Sequence, residues 1–224
     1  PAKVDISVTT VTTQAQLDRL VEALGGAEWV AVDTETTSLE ALEASLVGLS
    51  FAIQTGEAFY VPLMHHDQVL ECEPADALAA LKPFLEDHTP RKVGQNLKYD
   101  LNVLTRAGIE LRGIAHDTML ASYVYRSTGT RHDMDSLASH YLHRTTIPYE
   151  AVAGKGKDQK TFDQVDLAPA AEYAGEDAEV TLALFHHLKP LLRAQDRCWS
   201  VYTDIEMPLL PVLARMERVG VLLD

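Results

Sequence analysis

Two carboxylates stand two positions apart where an apolar run ends, in the segment 29–36 (Trp-Val-Ala-Val-Asp-Thr-Glu-Thr). Successive side chains of a strand point to opposite faces, so Asp33 and Glu35 share one face and the intervening Thr34 points to the other. Two like charges this close repel each other and stay ionised together when a cation lies between them. The pair is a candidate site for a hard divalent cation, and a solvated strand end is the alternative.

A third acid lies on the apolar face of a long helix predicted over residues 168–195. The residues of this face recur at helical spacing: Ala170, Tyr173, Ala174, Asp177, Thr181, Leu184 and Leu188. Asp177 is the only charge among them, whereas Glu172, Glu176 and Glu179 fall where solvent-facing charges are expected. A buried carboxylate is costly unless it is paired or binds a metal. Pairing with an arginine or a helix terminus is the alternative to a metal site.

A fourth acid, Asp100, lies on the apolar side of a helix predicted over residues 97–107, together with Leu97 and Leu104. Four converging carboxylates would hold two divalent cations roughly 3.5–4 Å apart, an arrangement that hydrolyses phosphodiesters. Tyr173 lies one turn before Asp177, and its hydroxyl could hold or deprotonate an attacking water. Core packing is the alternative role for this tyrosine.

The elements that must position these residues follow from hydrophobic periodicity and turn signals. An edge strand at 4–12, three consecutive antiparallel strands at 29–36, 46–53 and 58–62, and a short strand at 92–95 are predicted. Helices are predicted over 14–24, 74–86, 97–107, 117–126, 134–142, 168–195 and 208–219. The pattern predicts a mixed sheet with helices on its faces.

Composition bounds the function of the chain. With 46% hydrophobic and 23% charged residues over 224 positions, it has the composition of a globular protein. The net charge of −14 argues against a broad basic face for duplex nucleic acid, but not against a short single strand held through metal ions. Cys72 and Cys198 are expected to be reduced thiols in a cytosolic protein. The histidine pairs 65–66 and 186–187 are interpreted as surface residues.

No stretch is apolar and long enough to span a bilayer, and no signal peptide is recognised, so no membrane partner is expected. Both ends of the chain, which starts Pro-Ala-Lys and stops at Val219-Gly-Val-Leu-Leu-Asp224, are interpreted as cuts in a longer protein.

Three segments resemble the motifs of the DEDD exonucleases in the subgroup with a tyrosine before the last acid. These are 33–35 (Asp-Thr-Glu), 94–100 (Gly-Gln-Asn-Leu-Lys-Tyr-Asp) and 173–177 (Tyr-Ala-Gly-Glu-Asp). The resemblance implies an α/β, ribonuclease-H-like fold with a mixed five-stranded sheet, its first three strands antiparallel, flanked by helices. It also implies hydrolysis that starts at a 3′ end and releases nucleoside monophosphates.

Further segments resemble the proofreading exonuclease domain of bacterial DNA polymerase I, in family A. They are 46–53, 131–137 and 206–213, the last being similar to the start of the polymerase domain. The resemblance covers essentially the whole chain. It implies an exonuclease domain over 1–195, followed at 196–224 by a linker and the truncated start of a polymerase domain.

The same resemblance implies roles for the acids. Asp33 would bridge two metal ions, Glu35 and Asp177 would hold the first, and Asp100 would serve the second. Tyr173 would orient the nucleophile. The oxygen-rich ligand set favours Mg²⁺ or Mn²⁺, and Zn²⁺ could occupy it in vitro.

Substrate contacts are also implied by the resemblance. Leu39 would wedge between the last bases, and Tyr149 would stack on the strand. The full set of expected substrate-binding residues is Thr36, Leu39, Gln95, Asn96, Tyr99, Arg131 and Tyr149. Lys155 and Lys157 could touch the backbone of the strand, with a solvated loop as the alternative, and ordinary packing is the alternative for Leu39 and Tyr149.

The expected partners are a single-stranded DNA 3′ end and a covalently linked polymerase domain, in a monomeric, cytoplasmic, nucleoid-associated bacterial protein of DNA replication and repair. Two other functions remain open. The first is a ribonuclease D-like RNA 3′ exonuclease, which shares the motif layout. The second is a non-catalytic nucleic-acid-binding scaffold, which the four intact acids disfavour.

Overall fold

The computed structural model describes residues 2–71 and 73–222, and it shows one mixed sheet with helices on both faces. The strands are Ser7–Thr10 (β1), Trp29–Thr36 (β2), Leu46–Gln54 (β3), Glu57–Pro62 (β4), Arg91–Gly94 (β5) and Ile114–Asp117 (β6). They lie in the order β1-β4-β3-β2-β5-β6. The predicted antiparallel run of β2, β3 and β4 is confirmed, and β1, β5 and β6 join it by parallel pairing.

Within the described residues the sheet has six strands, one more than the five predicted. The additional strand, β6, comprises only Ile-Ala-His-Asp and pairs in parallel with β5. Four residues with two apolar members give no alternation to recognise, so tertiary pairing rather than local pattern defines this strand.

The described residues form nine α-helices, of which seven match predicted helices to within a few residues and two short ones, Tyr149–Ala153 and Asp196–Val201, were not predicted. They are Gln14–Gly26 (α1), Pro74–Glu86 (α2), Leu97–Arg106 (α3), Thr118–Tyr125 (α4), Met134–Leu137 (α5), Tyr149–Ala153 (α6), Leu167–Arg193 (α7), Asp196–Val201 (α8) and Met207–Val219 (α9). The chain stays helical with a wider π turn after α5, at Ala138–Leu142, and before α9, at Tyr202–Glu206. Thr13 caps α1 through a capping box with Gln16, as its position before the apolar stripe predicts.

Different helices cover the two faces of the sheet. On one face Ala31, Ala52 and Ala58 are small enough for the long helix α7 to lie close against the strands. On the other face Val32 and Phe51 pack with α1, α2 and α3. Because side chains alternate along β2, Asp33 and Glu35 point to the α7 side.

The C-terminal segment packs on the rest of the protein. Leu210 and Ala214 of α9 are buried, and Lys98 of α3 pairs with Glu217 at 2.5 Å. The domain boundary expected at residue 195 stays a prediction. None of the helices in residues 2–71 and 73–222 is both long and apolar enough to cross a membrane. Cys198 is a free thiol, and Cys72 lies outside the described residues.

Three residues expected at the surface are buried. Glu179 is fully buried, where it accepts from Arg144 at 2.6 Å and from the Gly56 amide at 2.9 Å, and Glu176 is also buried. These predictions were wrong because α7 is enclosed on several sides, so helical periodicity does not reveal an exposed face. His65 is buried as well, whereas His66, His186 and His187 are exposed as expected.

Gly48 on β3 makes room for a buried ring. A β-carbon at this position would overlap the hydroxyl and Cζ of Tyr60, which is itself fully buried. We expect Gly48→Ala to lower the free energy of unfolding by about 1–3 kcal/mol, measured by urea denaturation, because neither the ring nor the strand has space to move. Gly25→Ala is the control, since nothing lies within 4 Å of a β-carbon added there and alanine favours a helix. Equal stability of Gly48→Ala and the parent protein would contradict this packing argument.

Candidate active site

The end of β2 and the middle of α7 bring three of the four predicted acids together. Asp33, Glu35 and Asp177 each offer a carboxylate oxygen, and these oxygens lie within 4.8 Å of one another. Glu35 and Asp177 are 8% and 9% exposed, so the group is screened from bulk water yet open on the side of a cavity. Hard oxygen ligands at such separations suit a divalent cation such as Mg²⁺ or Mn²⁺.

The fourth acid reaches the same point from the opposite face of the sheet. β5 pairs with β2 only over Trp29–Ala31, so within the described residues the edge of β2 beyond this stretch has no strand neighbour on that side. Asp100 of α3 fills the gap, and its Oδ1 accepts from the amide of Thr34 at 3.1 Å and from its hydroxyl at 2.6 Å. Thr34, which points away from Asp33 and Glu35 as predicted, thus anchors the remaining acid beside them.

The electrostatics of the group favour a bound cation. Burial, and then the charge of Asp177, raises the pKa of Asp33 well above its usual value. Burial also raises the pKa of Glu35, with the charges of Asp33, Asp177 and Asp100 adding to the shift. Among the described residues, Glu35 Oε1 is buried without a hydrogen-bond partner. A divalent ion would supply both the missing partner and the missing positive charge, so these residues fit a metal.

Tyr173 faces Asp177 one helical turn away. Burial, followed by the charges of Asp177, Glu35 and Asp33, raises the pKa of the Tyr173 phenol far above its usual range. The hydroxyl therefore keeps its proton at neutral pH, and it can orient a water molecule by donating a hydrogen bond to it. Of the two chemical roles that the sequence leaves open for Tyr173, holding a water and deprotonating it, this environment favours holding it.

A cavity of about 750 Å³ opens over the acids. Its lining includes all the predicted site residues except Arg131, namely Asp33, Glu35, Thr36, Leu39, Gln95, Asn96, Tyr99, Asp100, Tyr149, Tyr173 and Asp177. Thr34, Thr37, Ser38, Gln159, Lys160 and Thr161 line it too and were not predicted. The sequence predicted a polar loop after α6 and possible backbone contacts from Lys155 and Lys157, but the lysine of this loop that lines the cavity is Lys160. Lys155 instead pairs with Glu150 at 2.5 Å.

Leu39 lies at the rim of the cavity with 94% of its surface exposed. Ordinary packing among the described residues, the alternative role for this side chain, therefore does not account for a leucine at this position. The turn that carries it is held by Tyr99, whose hydroxyl donates to the Ser38 carbonyl at 2.5 Å and also bonds the Thr36 hydroxyl. Tyr99 thereby supports an apolar side chain that projects into solvent from an ordered turn.

Arg131 lies in a neighbouring depression of about 680 Å³ that shares Gln95 and Asn96 with the main cavity. It is 88% exposed and pairs with Asp133 at 3.2 Å. The Gln95 amide donates to the His132 carbonyl at 2.8 Å and accepts from the Thr118 hydroxyl, so it ties this loop to the cavity wall. Asn96 adopts a left-handed conformation (φ 63°) at the entry to α3, which asparagine tolerates.

Comparison with known proteins agrees with this geometry. A family model described as 3′-5′ exonuclease matches residues 8–193. DNA polymerase I of Pseudomonas aeruginosa is 53% identical over 228 residues, covering 100% of this chain and 25% of that protein. DNA polymerase I of Rhizobium leguminosarum is 47% identical over 234 residues, covering 96% and 23% respectively. The chain thus spans about a quarter of the length of these curated relatives.

Solved structures share the fold. Pol1 of M. smegmatis, in complex with DNA primer-template and dNTP, has a TM-score of 0.74 at 23% identity, covering 96% of this chain and 33% of that one. NrnC of Brucella melitensis with bound Mg²⁺ has a TM-score of 0.69 at 20% identity, covering 97% and 95%. RNase D of Escherichia coli has a TM-score of 0.69 at 19% identity, covering 97% and 52%. The expected ribonuclease-H-like class of fold is confirmed.

Proposed function

Because the chain belongs to the 3′-5′ exonuclease family, we propose that it is the proofreading part of a DNA polymerase I and removes nucleotides hydrolytically from single-stranded or frayed DNA 3′ ends. One observation carries the proposal. Three carboxylates whose oxygens lie within 4.8 Å of one another, with Asp100 held beside them, line the bottom of a cavity of about 750 Å³. Cleavage of a phosphodiester by two metal ions requires such a cluster of carboxylate ligands.

In this proposal Asp33 would be a ligand shared by two divalent ions, Glu35 and Asp177 would hold the first, and Asp100 would serve the second. When bound, the ions polarise the phosphodiester, lower the pKa of a water and stabilise the leaving oxygen. The Tyr173 hydroxyl, which keeps its proton, donates to or orients the attacking water. Thr34 donates two hydrogen bonds to the carboxyl group of Asp100, so this acid is positioned before a substrate binds.

Proofreading selectivity follows from a site that accepts unpaired nucleotides. Leu39 projects at the rim of the cavity, where it would wedge between terminal bases, and Tyr149, which lines the same cavity, would stack on the strand. Unpairing costs least at a mismatched end, so such ends reach the site most often. Thr36, Gln95, Asn96, Tyr99 and Arg131 complete the proposed substrate contacts.

The proposal extends to the longer protein. The exonuclease domain comprises residues 1–195, and residues 196–224 connect to a covalently linked polymerase domain that delivers the DNA. The matches to two bacterial DNA polymerases I, each across about a quarter of the relative, support this arrangement. Action on chromosomal DNA would place the protein in the bacterial cytoplasm, at the nucleoid.

The experiment that tests this function uses a 5′-labelled single-stranded DNA oligonucleotide with Mg²⁺ or Mn²⁺, beside an EDTA control. We expect a ladder that shortens from the 3′ end and is absent with EDTA, with faster shortening of a duplex that has a mismatched rather than a paired 3′ end. A parallel oligonucleotide with ribose at its 3′ residue separates DNA from RNA specificity. Binding without any cleavage, unchanged by EDTA, would favour the scaffold function instead.

Leu39 provides a test of the substrate path. Because Leu39 makes little contact with the protein, Leu39→Ala is expected to leave the melting temperature unchanged and to raise KM for single-stranded DNA several-fold, on the order of 1 kcal/mol of lost apolar contact. Val69→Ala, at a residue 85% exposed and outside the cavity lining, is the control. An unchanged KM in Leu39→Ala would remove this residue from the proposed wedge.

A further inference from the structure

His65 lies buried between the sheet and the segment that closes one wall of the cavity. It is 6% exposed. Its Nε2 lies 2.6 Å from the hydroxyl oxygen of Tyr60 on β4, and its Nδ1 lies 3.1 Å from the carbonyl oxygen of Val165. The imidazole therefore bridges two parts of the chain that are a hundred residues apart.

The partners of the ring determine where its proton lies. A carbonyl oxygen only accepts, so Nδ1 carries the hydrogen and donates it to Val165. In the neutral ring Nε2 then accepts, and Tyr60 donates to it. Burial lowers the pKa of His65 and outweighs the hydrogen bond to the Val165 carbonyl and the carboxylates of Asp67 and Asp163, so the ring is neutral at physiological pH. The neighbouring His66 adds to this shift.

Tyr60 connects the bridge to the sheet beneath the acids. Its hydroxyl end lies against Gly48, and Gly48 stands opposite Glu35 in the pairing of β3 with β2. Burial and the charges of Glu35 and Asp33 raise the pKa of Tyr60 well above its usual value, so it remains a hydrogen-bond donor. One end of the bridge is thus fixed at the strand position beside Glu35.

The other end of the bridge holds the wall of the cavity. Val165 lies three residues after Phe162, which is fully buried with its ring centroid 5.6 Å from that of His65. The Phe162 ring in turn contacts Tyr173 at 5.8 Å and stacks near Tyr149 at 6.3 Å, measured between centroids. Tyr149 and Tyr173 are 5.9 Å apart. The predicted stacking residue and the predicted water-orienting residue therefore rest on one ring that His65 supports.

We propose that His65 is a positioning residue of the exonuclease site: by joining Tyr60 to Val165 and packing on Phe162, it holds the Tyr173 hydroxyl in register with the acids. This inference rests on the proposed function, because it assigns a supporting role in that reaction. His65 touches neither the cavity nor the acids and acts only through other residues.

Two variants separate the ends of the bridge. His65→Gln keeps an acceptor for Tyr60 near the position of Nε2 but loses the donor to Val165 and the ring edge on Phe162. Tyr60→Phe keeps the shape of the ring and loses only the bond to His65. Outside this cluster the Tyr202 hydroxyl oxygen lies 2.9 Å from Nδ1 of the buried His116, so His116→Gln is a control that perturbs a similar tyrosine–histidine pair.

The rates of these variants, measured with and without Tyr173→Phe, test the proposal. We expect His65→Gln to lower kcat about tenfold, within the ~10²-fold that misplacement of a catalytic group by 1 Å can cost. In the Tyr173→Phe background the same change should lower kcat less than about twofold, because the group it positions is already gone. Tyr60→Phe should show the same dependence on Tyr173, and His116→Gln should leave kcat unchanged.

A full loss in both backgrounds, or a folded His65→Gln with parental kcat, would overturn the proposal. A readout independent of catalysis is the fluorine spectrum of protein labelled with 3-fluorotyrosine, with the Tyr173 signal assigned through Tyr173→Phe. His65→Gln should shift that signal and His116→Gln should not. If the parent protein degrades no DNA, the proposed function is wrong, and the presence or absence of this shift alone decides whether His65 positions Tyr173.

Discussion

Asp177→Asn is expected to lower the exonuclease rate on the order of 10³-fold or more, the scale of losing a group that stabilises transition-state charge. The side chain keeps its size, but one of three clustered carboxylates is gone, and the cation proposed to bind between them should bind more weakly. The measurement is the initial rate on 5′-labelled single-stranded DNA at saturating Mn²⁺. Glu172→Gln, an exposed acid on the same helix, is the control and should retain the parental rate.

The same substitution should raise the stability of the metal-free protein. Burial and the charges of Asp135 and Glu176 disfavour ionised Asp177, and Asp177 in turn raises the pKa of Asp33 and Glu35. We expect the melting temperature in EDTA to rise by a few °C, the shift that about 1 kcal/mol produces in a domain of this size. A variant that loses activity and melts earlier would instead indicate that Asp177 serves the fold.

The stability of the metal-free protein is expected to fall as pH rises from about 5 to 8, contrary to the usual behaviour of surface carboxylates. The pKa values of Asp33, Glu35, Asp100 and Asp177 are all raised in the folded state. The contribution of such a carboxyl group to the stability of the fold is fully present while the pH is below the pKa of the group in the unfolded chain, near 4. It is lost as the pH rises through the pKa of the group in the folded chain.

Divalent ions should reverse this trend. The ion binds the ionised carboxylates of the folded chain, and a ligand at a hundred times its dissociation constant adds about 2.7 kcal/mol of stability. We expect Mn²⁺ to raise the melting temperature more at pH 8 than at pH 5.5, measured by calorimetry with and without EDTA. In Asp177→Asn both the pH trend and the effect of Mn²⁺ should shrink. A metal effect of equal size at both pH values would contradict the assignment of the raised pKa values to these acids.

The sequence predicted the acids because each breaks a local pattern. Asp177 interrupts an apolar helical stripe, and Asp33 and Glu35 end an apolar strand, so alternation and helical spacing suffice to select them. Their convergence depends on how α7 crosses the sheet, which no local pattern determines. The resemblance to known exonucleases supplied that step, and the clustering of Asp33, Glu35 and Asp177 agrees with it.

Several features had no signal that sequence reasoning could use. In the sequence Thr34 has the pattern of an ordinary strand residue. Because β5 ends before it reaches Thr34, the amide of Thr34 donates to Asp100 instead of to a neighbouring strand. Glu179 belongs to a helix enclosed on several sides, and its partner Arg144 lies 35 residues away in the chain. His65 occurs beside a surface histidine, and only long-range packing distinguishes the two. In each case a tertiary contact overrides the local pattern.

The acids come from both faces of the sheet, and this has a consequence for the newly made chain. Asp100 arrives with α3 on one side and Asp177 with α7 on the other, and more than half of the sequence separates Asp33 from Asp177. A nascent or partly denatured chain lacks one or more ligands until both layers have packed. The candidate metal site is therefore expected to form only after both layers have packed on the sheet, so a partly folded chain should not cleave nucleic acid.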